Sequence, residues 1–437
     1  MIKVISVSIF FLTLISAAQN KETIEWINNN SILIEDANSD SQLIDFEEKI
    51  PVKFSNAKIF GFGEASHNTK EFFTIKSKFF KHLVKTQGIR VFIMEESYQA
   101  EAGINEWISG GKGNIKTIAE NFNIGFWRSK EVVDLLQWMR DFNLDKPKDD
   151  QIRFYGMDIQ NGKNLNREIR DFVNGYRIPI DEDILKIADS CSNKNIEYDK
   201  PTNWAKIQVP KLKKLKETIL DYISRINLSE EKERSIIRSI NYLIKYTEYV
   251  SNTKGFRERN EFRDLKMFEN VKWIIENESE NGKAFIWAHN EHINKKEMYS
   301  AGSDIINLGR RLKDYYKEDF YSVGFDFATG KIKGYVTDEK NGNHWKTYHI
   351  KKPFRRTYAR TLNLVDKNIY FIDLAKVVEK EPAEFFSKEN EYLLIGGGGY
   401  QPKPLYKIKI SKIYSESYDA LIFVKKISVP DYELSEL

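Results

Sequence analysis

The sequence predicts an α/β fold: a largely parallel central sheet flanked by helices, with an all-helical subdomain inserted into it. Three observations predict this. Short runs rich in β-branched and aromatic residues alternate with segments of helical period, the pattern of parallel strands joined by helical crossovers. The strand-like runs stop between about residues 181 and 280, where only long helical stripes occur. And the first four strand-like runs each end in acids or imidazoles, as strands do when their carboxyl ends share a rim.

The chain opens MIKVISVSIFFLTLISAAQN, one lysine before an apolar stretch that closes on Ser16, Ala17 and Ala18. That is the layout of a secretory signal peptide over residues 1–18, and it predicts an exported protein, periplasmic or secreted. The stretch is shorter than the ~20 residues of a spanning helix, so no integral membrane segment is expected after cleavage.

The strand candidates are AKIFGF (57–62), RVFIM (90–94), IRFYGM (152–157), KAFIWA (283–288), FYSVGF (320–325), IYFIDL (369–374) and DALIFV (419–424). Between them, EVVDLLQWMRDF (131–142) places Val132, Leu135, Leu136, Met139 and Phe142 on one helical face. The α/β core is therefore assigned to residues 19–180 and 281–437, and the helical insertion to 181–280, roofing the strand ends. In the insertion, Leu212, Leu215, Ile219 and Ile223 make one stripe and Ile236, Ile240 and Leu243 another. The tetraglycine IGGGGYQPKP (395–404) lacks the Lys-Ser or Lys-Thr of a phosphate loop, and Pro402 and Pro404 forbid a helix directly after it, so it reads as a loop.

With 68 basic and 64 acidic residues the chain carries no concentrated basic stripe, which removes the electrostatic reason to expect nucleic acid as a partner. Cys191 is the only cysteine. An internal disulfide and a lipoprotein anchor are thereby excluded, and Cys191 is expected as a surface or half-buried thiol.

The chemistry concentrates at the strand exits. AKIFGF is followed by Glu64 and His67, RVFIM by Glu95 and Glu96, IRFYGM by Asp158, and KAFIWA by His289, Asn290 and His292. Three of the six histidines stand at two of these exits, each three residues from another ionisable group. Polar residues end strands everywhere, but this selection of residue types points to one pocket assembled at the rim. Of the two adjacent acids, Glu95 directly follows the apolar run, and Glu96 is expected to face elsewhere. On the helix FRERNEFRDLKMFENVKW (256–273), Arg259 and Arg263 lie four apart, either facing the pocket from the roof or making surface salt bridges. Asp158 either hydrogen-bonds a catalytic histidine or caps a turn.

In order and spacing, GEASHNTKEFF, RVFIMEES, FWRSKEVVDLLQWMRDFN, FYGMDIQ, WAHNEHI, SVGFDFATG and YDALIFV resemble the erythromycin esterase family over most of the chain. The resemblance implies a hydrolase that cleaves an ester or lactone, with a small molecule as its partner and no obligatory cofactor. It implies that His67 is the general base that activates water, that Glu64 and Glu95 are carboxylates of the same site, and that His289 and His292 are its second histidine pair, with Asn290 in support. It also places Trp127 and Arg128 on the pocket side as substrate contacts. The sequence departs from the family at Lys70, where arginine is frequent, and at Asn68 and Glu291, which replace small residues.

The residue types fit that chemistry independently. Histidine is the usual base near neutral pH, a neighbouring carboxylate orients its ring, and further donors hold the oxyanion. The same two carboxylates and three imidazoles would equally make a divalent zinc or manganese shell, and a non-catalytic pocket that captures a small molecule is the remaining reading. No G-x-S-x-G elbow occurs, and Ser66 reads as a turn residue.

Overall fold

The computed structural model describes residues 21–193, 203–252, 254–300, 303–338, 340, 342–404 and 408–434. The stretch read as a signal peptide lies outside them. All seven strand-like runs are strands. With a short first strand and one more late in the chain they are β1 (Ile32–Leu33), β2 (Ile59–Phe62), β3 (Val91–Ser97), β4 (Arg153–Asp158), β5 (Ala284–Trp287), β6 (Phe320–Val336), β7 (His344–Ile350), β8 (Ile369–Asp373) and β9 (Ala420–Ile427). They form one 9-stranded sheet in the order β1-β8-β9-β6-β2-β5-β3-β4, with β7 paired to β6.

From β9 through to β4 every neighbouring pair is parallel. Only β1, β8 and β7 run antiparallel to their partners. Every residue of β2, β3 and β5 is buried, which is why these runs read as continuously apolar rather than alternating. Alternate side chains still serve opposite faces. Phe60, Phe62, Phe92, Phe154 and Phe285 pack on one side, where helices α1 (Lys70–Gln87) and α2 (Lys130–Leu144) lie. Ile59, Val91, Ile93, Ala284 and Ile286 pack on the other, with Met267, Val271 and Ile274 of α3 (Phe256–Glu278).

Between β4 and β5 the described chain is wholly helical: Leu165–Gly175, Glu182–Asn193, Asn203–Ile223, Glu230–Ser251 and α3. The first four share a separate apolar core. Cys191, expected at or near the surface, is buried in that core, because it falls on the same helical face as Ala188 and Leu185. Among the described residues, no helix is long and apolar enough to cross a membrane.

β7 went unread in the sequence. Its residues are exposed except at Tyr348 and Ile350, so it shows neither an apolar run nor a period of two. It forms because β6 runs well beyond FYSVGF and offers an unpaired edge.

The junction of β2 and β5 fixes the rim. The Asn290 side chain donates to the Phe325 carbonyl (2.7 Å) and accepts the Phe325 N–H (3.0 Å), while its own N–H donates to the Glu64 carbonyl (2.9 Å). A Cβ on Gly63 would overlap the Asn290 side-chain oxygen. Gly63→Ala is therefore expected to cost about 2–3 kcal/mol, through overpacking and two disturbed buried hydrogen bonds. Urea unfolding of parent and variant checks this, and an unchanged midpoint would contradict it.

Candidate active site

Because β2, β5, β3 and β4 are parallel neighbours, their carboxyl ends open on one rim, and the residues just past each strand meet there. The site has two halves that touch at Glu95 and His289.

In the first half, Glu64 leaves β2 fully buried and binds His67 and Lys76. Its Oε1 is 2.6 Å from His67 Nδ1, and its Oε2 accepts from Lys76 Nζ. Lys76 comes from α1, is itself fully buried, and has its ammonium 3.9 Å from the centre of the Trp287 ring. Burial pulls its pKa down to about 8, against the pull of Glu64. With Nδ1 engaged, His67 keeps Nε2 for other partners. Phe126 lies flat on its imidazole (5.3 Å between centroids, 9° between planes), and Trp127 meets it edge-on at 5.6 Å.

In the second half, Arg263 of α3 holds Asp158 with Nε (2.9 Å) and Nη2 (2.7 Å) and reaches Glu95 with Nη2 (2.8 Å). His292 lies between Asp264 Oδ1 (2.9 Å, at Nδ1) and Glu95 Oε1 (3.1 Å, at Nε2). Burial alone would lower the pKa of His292, but Asp264 and Glu95 outweigh it and raise the value to about 10. The ring is thus an imidazolium. Arg263 Nη1, 3.1 Å from the same Nε2, makes a contact there and not a hydrogen bond, since both nitrogens carry protons. Burial pushes Glu95 up, yet His292, His67 and Arg263 together hold its carboxyl well below the usual range.

His289 joins the halves, its ring 5.0 Å from that of His67 and its N–H donating to Glu95 Oε2 (2.8 Å). The Glu291 N–H donates to His289 Nδ1 (3.2 Å), so the ring proton sits on Nε2 and points at the Ile395 carbonyl (3.2 Å). Burial, with His67 adding to it, holds the pKa of His289 well below the ordinary value. The rim therefore presents a carboxylate-bound imidazole facing a neutral one of fixed tautomer.

Glu64, His67, Glu95, Asp158, Arg263, His289 and His292 thus stand in one cluster. Five other expected residues sit around it. Asn290 clamps β6, as described. Lys70 pairs with Glu131 at 3.6 Å. Arg128 is exposed, its guanidinium on the Phe122 carbonyl (2.6 and 3.0 Å). Arg259 is buried over the Tyr249 ring, 5.6 Å away. Trp127 is fully buried, and its Nε1–H donates to the Glu95 carbonyl (3.2 Å), so it braces the acid. Glu96 points away: its carboxylate accepts the Ser97 and Ile124 N–H groups (2.6 and 3.0 Å) and anchors the loop that carries Phe126 and Trp127, and burial raises its pKa to about 7. Ser66 accepts the Asn68 N–H (3.3 Å), a turn contact.

Sequence reasoning missed Lys76, Asp264 and Phe126. Lys76 carried a signal, since it sits amid Phe72, Phe73, Ile75, Phe79 and Phe80, on a stripe with no room for a solvated amine. Asp264 shares the buried face of α3 with Asn260, Met267 and Val271, the period that marks it as inward.

The groups that could ligate a metal ion are bound to one another or to the backbone in this structure. Both nitrogens of His289 and of His292 are engaged by protein groups, as is His67 Nδ1. Among the described residues no group of three His, Cys, Asp or Glu is arranged to hold one. A cavity of about 910 Å³ between the β4 edge and the insertion, lined by Tyr98, Glu101, Arg153, Glu168 and Arg238, shares no residue with the cluster.

The sequence profile of the erythromycin esterase family matches residues 84–427. The chain belongs to that family. Membership makes it a hydrolase of ester bonds with a small-molecule substrate. Glu64 and His67 precede the matched residues. The chain is similar to an Escherichia coli protein named erythromycin esterase type II, 23% identical over 387 residues, which span 82% of this chain and 91% of that protein. In fold it is similar to a Bacillus cereus protein of known crystal structure (TM-score 0.80, 22% identity, 94% of this chain and 98% of the other). It is also similar to a mutant of the erythromycin esterase EreC in its open conformation (TM-score 0.61, 14% identity, 91% and 96%).

His292 gives this esterase a pH signature. Its folded pKa, about 10, lies above the ordinary 6.5. The stabilisation is therefore complete below pH 6.5 and is lost as the pH rises through about 10. Urea unfolding from pH 6 to 10 is expected to show stability falling with pH, and His292→Gln to flatten that slope. Equal slopes in the two proteins would refute the assignment.

Proposed function

We propose that this family member cleaves a small-molecule ester or lactone by general-base activation of water at His67, with no step through a metal ion. One observation carries the reading: His67, held at Nδ1 by Glu64 at 2.6 Å, faces the neutral His289 ring 5.0 Å away at the strand rim.

His67 Nε2 takes a proton from water as the oxygen attacks the carbonyl carbon. Glu64 fixes the ring and stabilises the imidazolium that forms. His289, a neutral donor at Nε2, exchanges the Ile395 carbonyl for the substrate oxygen as negative charge develops there. Collapse breaks the bond to the alcohol oxygen, and His67 returns its proton to that leaving group, giving acid and alcohol. Arg263, His292, Glu95 and Asp158 form a paired array that keeps the electrostatics fixed through the cycle, because each charge is already bonded within the protein. The name of the Escherichia coli relative supports a macrolide lactone as one substrate. The signal-like first 18 residues support export to the periplasm or the medium.

In an assay against p-nitrophenyl esters and macrolactones, His67→Ala, checked by circular dichroism to be folded, is expected to lower kcat by about 10²–10⁴-fold. Parent activity is expected to survive dialysis against EDTA. Turnover lost on chelation and restored by zinc would replace this mechanism with a metal-dependent one. Tight binding without turnover in either protein would replace it with capture.

Lys76 shares Glu64 with His67. Lys76→Met leaves the buried Glu64 one cation short and is expected to destabilise the fold by about 3–5 kcal/mol. Lys76→Arg is expected to recover part of that loss, and thermal unfolding of the two variants tests the difference.

A further inference from the structure

Two large aromatic side chains stand at the surface beside the site. Tyr335 and Trp345 are 38% and 39% exposed. They are register partners across β6 and β7, with ring centroids 5.3 Å apart. Trp345 meets Phe126 edge-on at 5.6 Å, and Phe126 lies flat on the His67 imidazole at 5.3 Å. A file of rings therefore runs from solvent to the proposed base. Single exposed apolar residues need no explanation, but adjacent aromatic rings that lead to a reactive imidazole mark a contact surface.

The file is also held in place. The Tyr335 N–H donates to the Gly398 carbonyl (2.9 Å). Gly399, at φ 67°, lies so close under Trp345 that a Cβ there would be 2.9 Å from the ring. The glycine loop after Ile395, whose carbonyl holds His289, is thus also the floor on which Trp345 rests. Two polar groups near this mouth are held by the protein. The Asn68 side-chain oxygen accepts from the Tyr432 hydroxyl (2.8 Å), and the Gln401 amide donates to the Tyr335 and Gly398 carbonyls (3.0 and 3.1 Å).

We propose, resting on the ester-hydrolase reading above, that Phe126, Tyr335 and Trp345 form a subsite for a flat aromatic ring on the substrate, so that this enzyme prefers esters bearing an aryl group. Ring faces and edges at these separations complement another ring in offset or edge-on contact. A saturated ring would gain burial without the edge-to-face geometry.

The test uses matched ester pairs with leaving alcohols of similar acidity: benzyl acetate against cyclohexylmethyl acetate, and methyl 2-naphthylacetate against methyl cyclohexylacetate. The parent is expected to favour the aromatic member of at least one pair by about tenfold in kcat/KM. Trp345→Ala is expected to erase that preference and Trp345→Phe to keep most of it. Trp345 is a surface residue, so its removal takes no core packing from the fold. Equal kcat/KM within both pairs, or a preference unchanged in Trp345→Ala, overturns the proposal. Calorimetric titration with 2-naphthoate separates the two readings. Binding weakened about tenfold in Trp345→Ala, in a protein that turns over no ester, supports the subsite while the hydrolase reading falls. Binding that is absent from the parent or equal in the two proteins counts against the subsite, whatever the turnover.

Discussion

The site depends on a single constraint: charges taken out of water must be paired, or the fold does not form. Glu95, Asp158 and Asp264 are all nearly or fully buried, and Arg263 and the His292 imidazolium are the cations that bind them. The members come from four elements: β3, β4, α3, which carries both Arg263 and Asp264, and the turn after β5. Removing either cation leaves buried carboxylates uncompensated, which is far costlier than the pair is worth. The array therefore pins three strand exits and the insertion helix α3 to one geometry. The Glu64, His67 and Lys76 group obeys the same rule on the neighbouring strand.

Around these pairs the protein spends polar contacts on fixing tautomers and loops. His289 is gripped from both sides, by the Glu291 N–H at Nδ1 and by the Ile395 carbonyl at Nε2. Glu291 is itself bound by Lys412 and Tyr392. Those two belong to the hairpin of Asn390–Leu393 with Lys409–Lys412, and Ile395 lies just beyond its first strand. Glu96 plays the corresponding part for the loop over His67. A base and a donor with preset proton positions need no reorganisation when charge develops between them.

The departures from the family pattern acquire physical meaning in this setting. Asn68 takes the Tyr432 hydroxyl of the carboxyl-terminal strap. That strap runs on over α1 and α2: the Ser428 carbonyl accepts the Lys70 N–H (3.0 Å) and the Asp431 carbonyl the Lys130 N–H (2.7 Å). Glu291 turns toward Lys412, away from the histidines on either side of it. Both larger residues are accommodated by chain segments outside the cluster, so the cluster keeps its geometry while its surroundings differ.

Much of this was legible in the sequence. The apolar runs fixed strand positions because a parallel strand buried on both faces has no choice of residue, and the acids and histidines at the exits of β2 to β5 announced a rim. Which of them meet was a tertiary matter. Arg263 joins the cluster while Arg259, one turn earlier, packs over Tyr249. Lys70 pairs at the surface with Glu131 while Lys76 is buried against Glu64. Local spacing specifies a helical face, but only the packing of that face on the sheet decides whether a charge on it meets a partner or water. β7 shows the same limit from the other side, since an exposed strand with no apolar period is set by the open edge beside it.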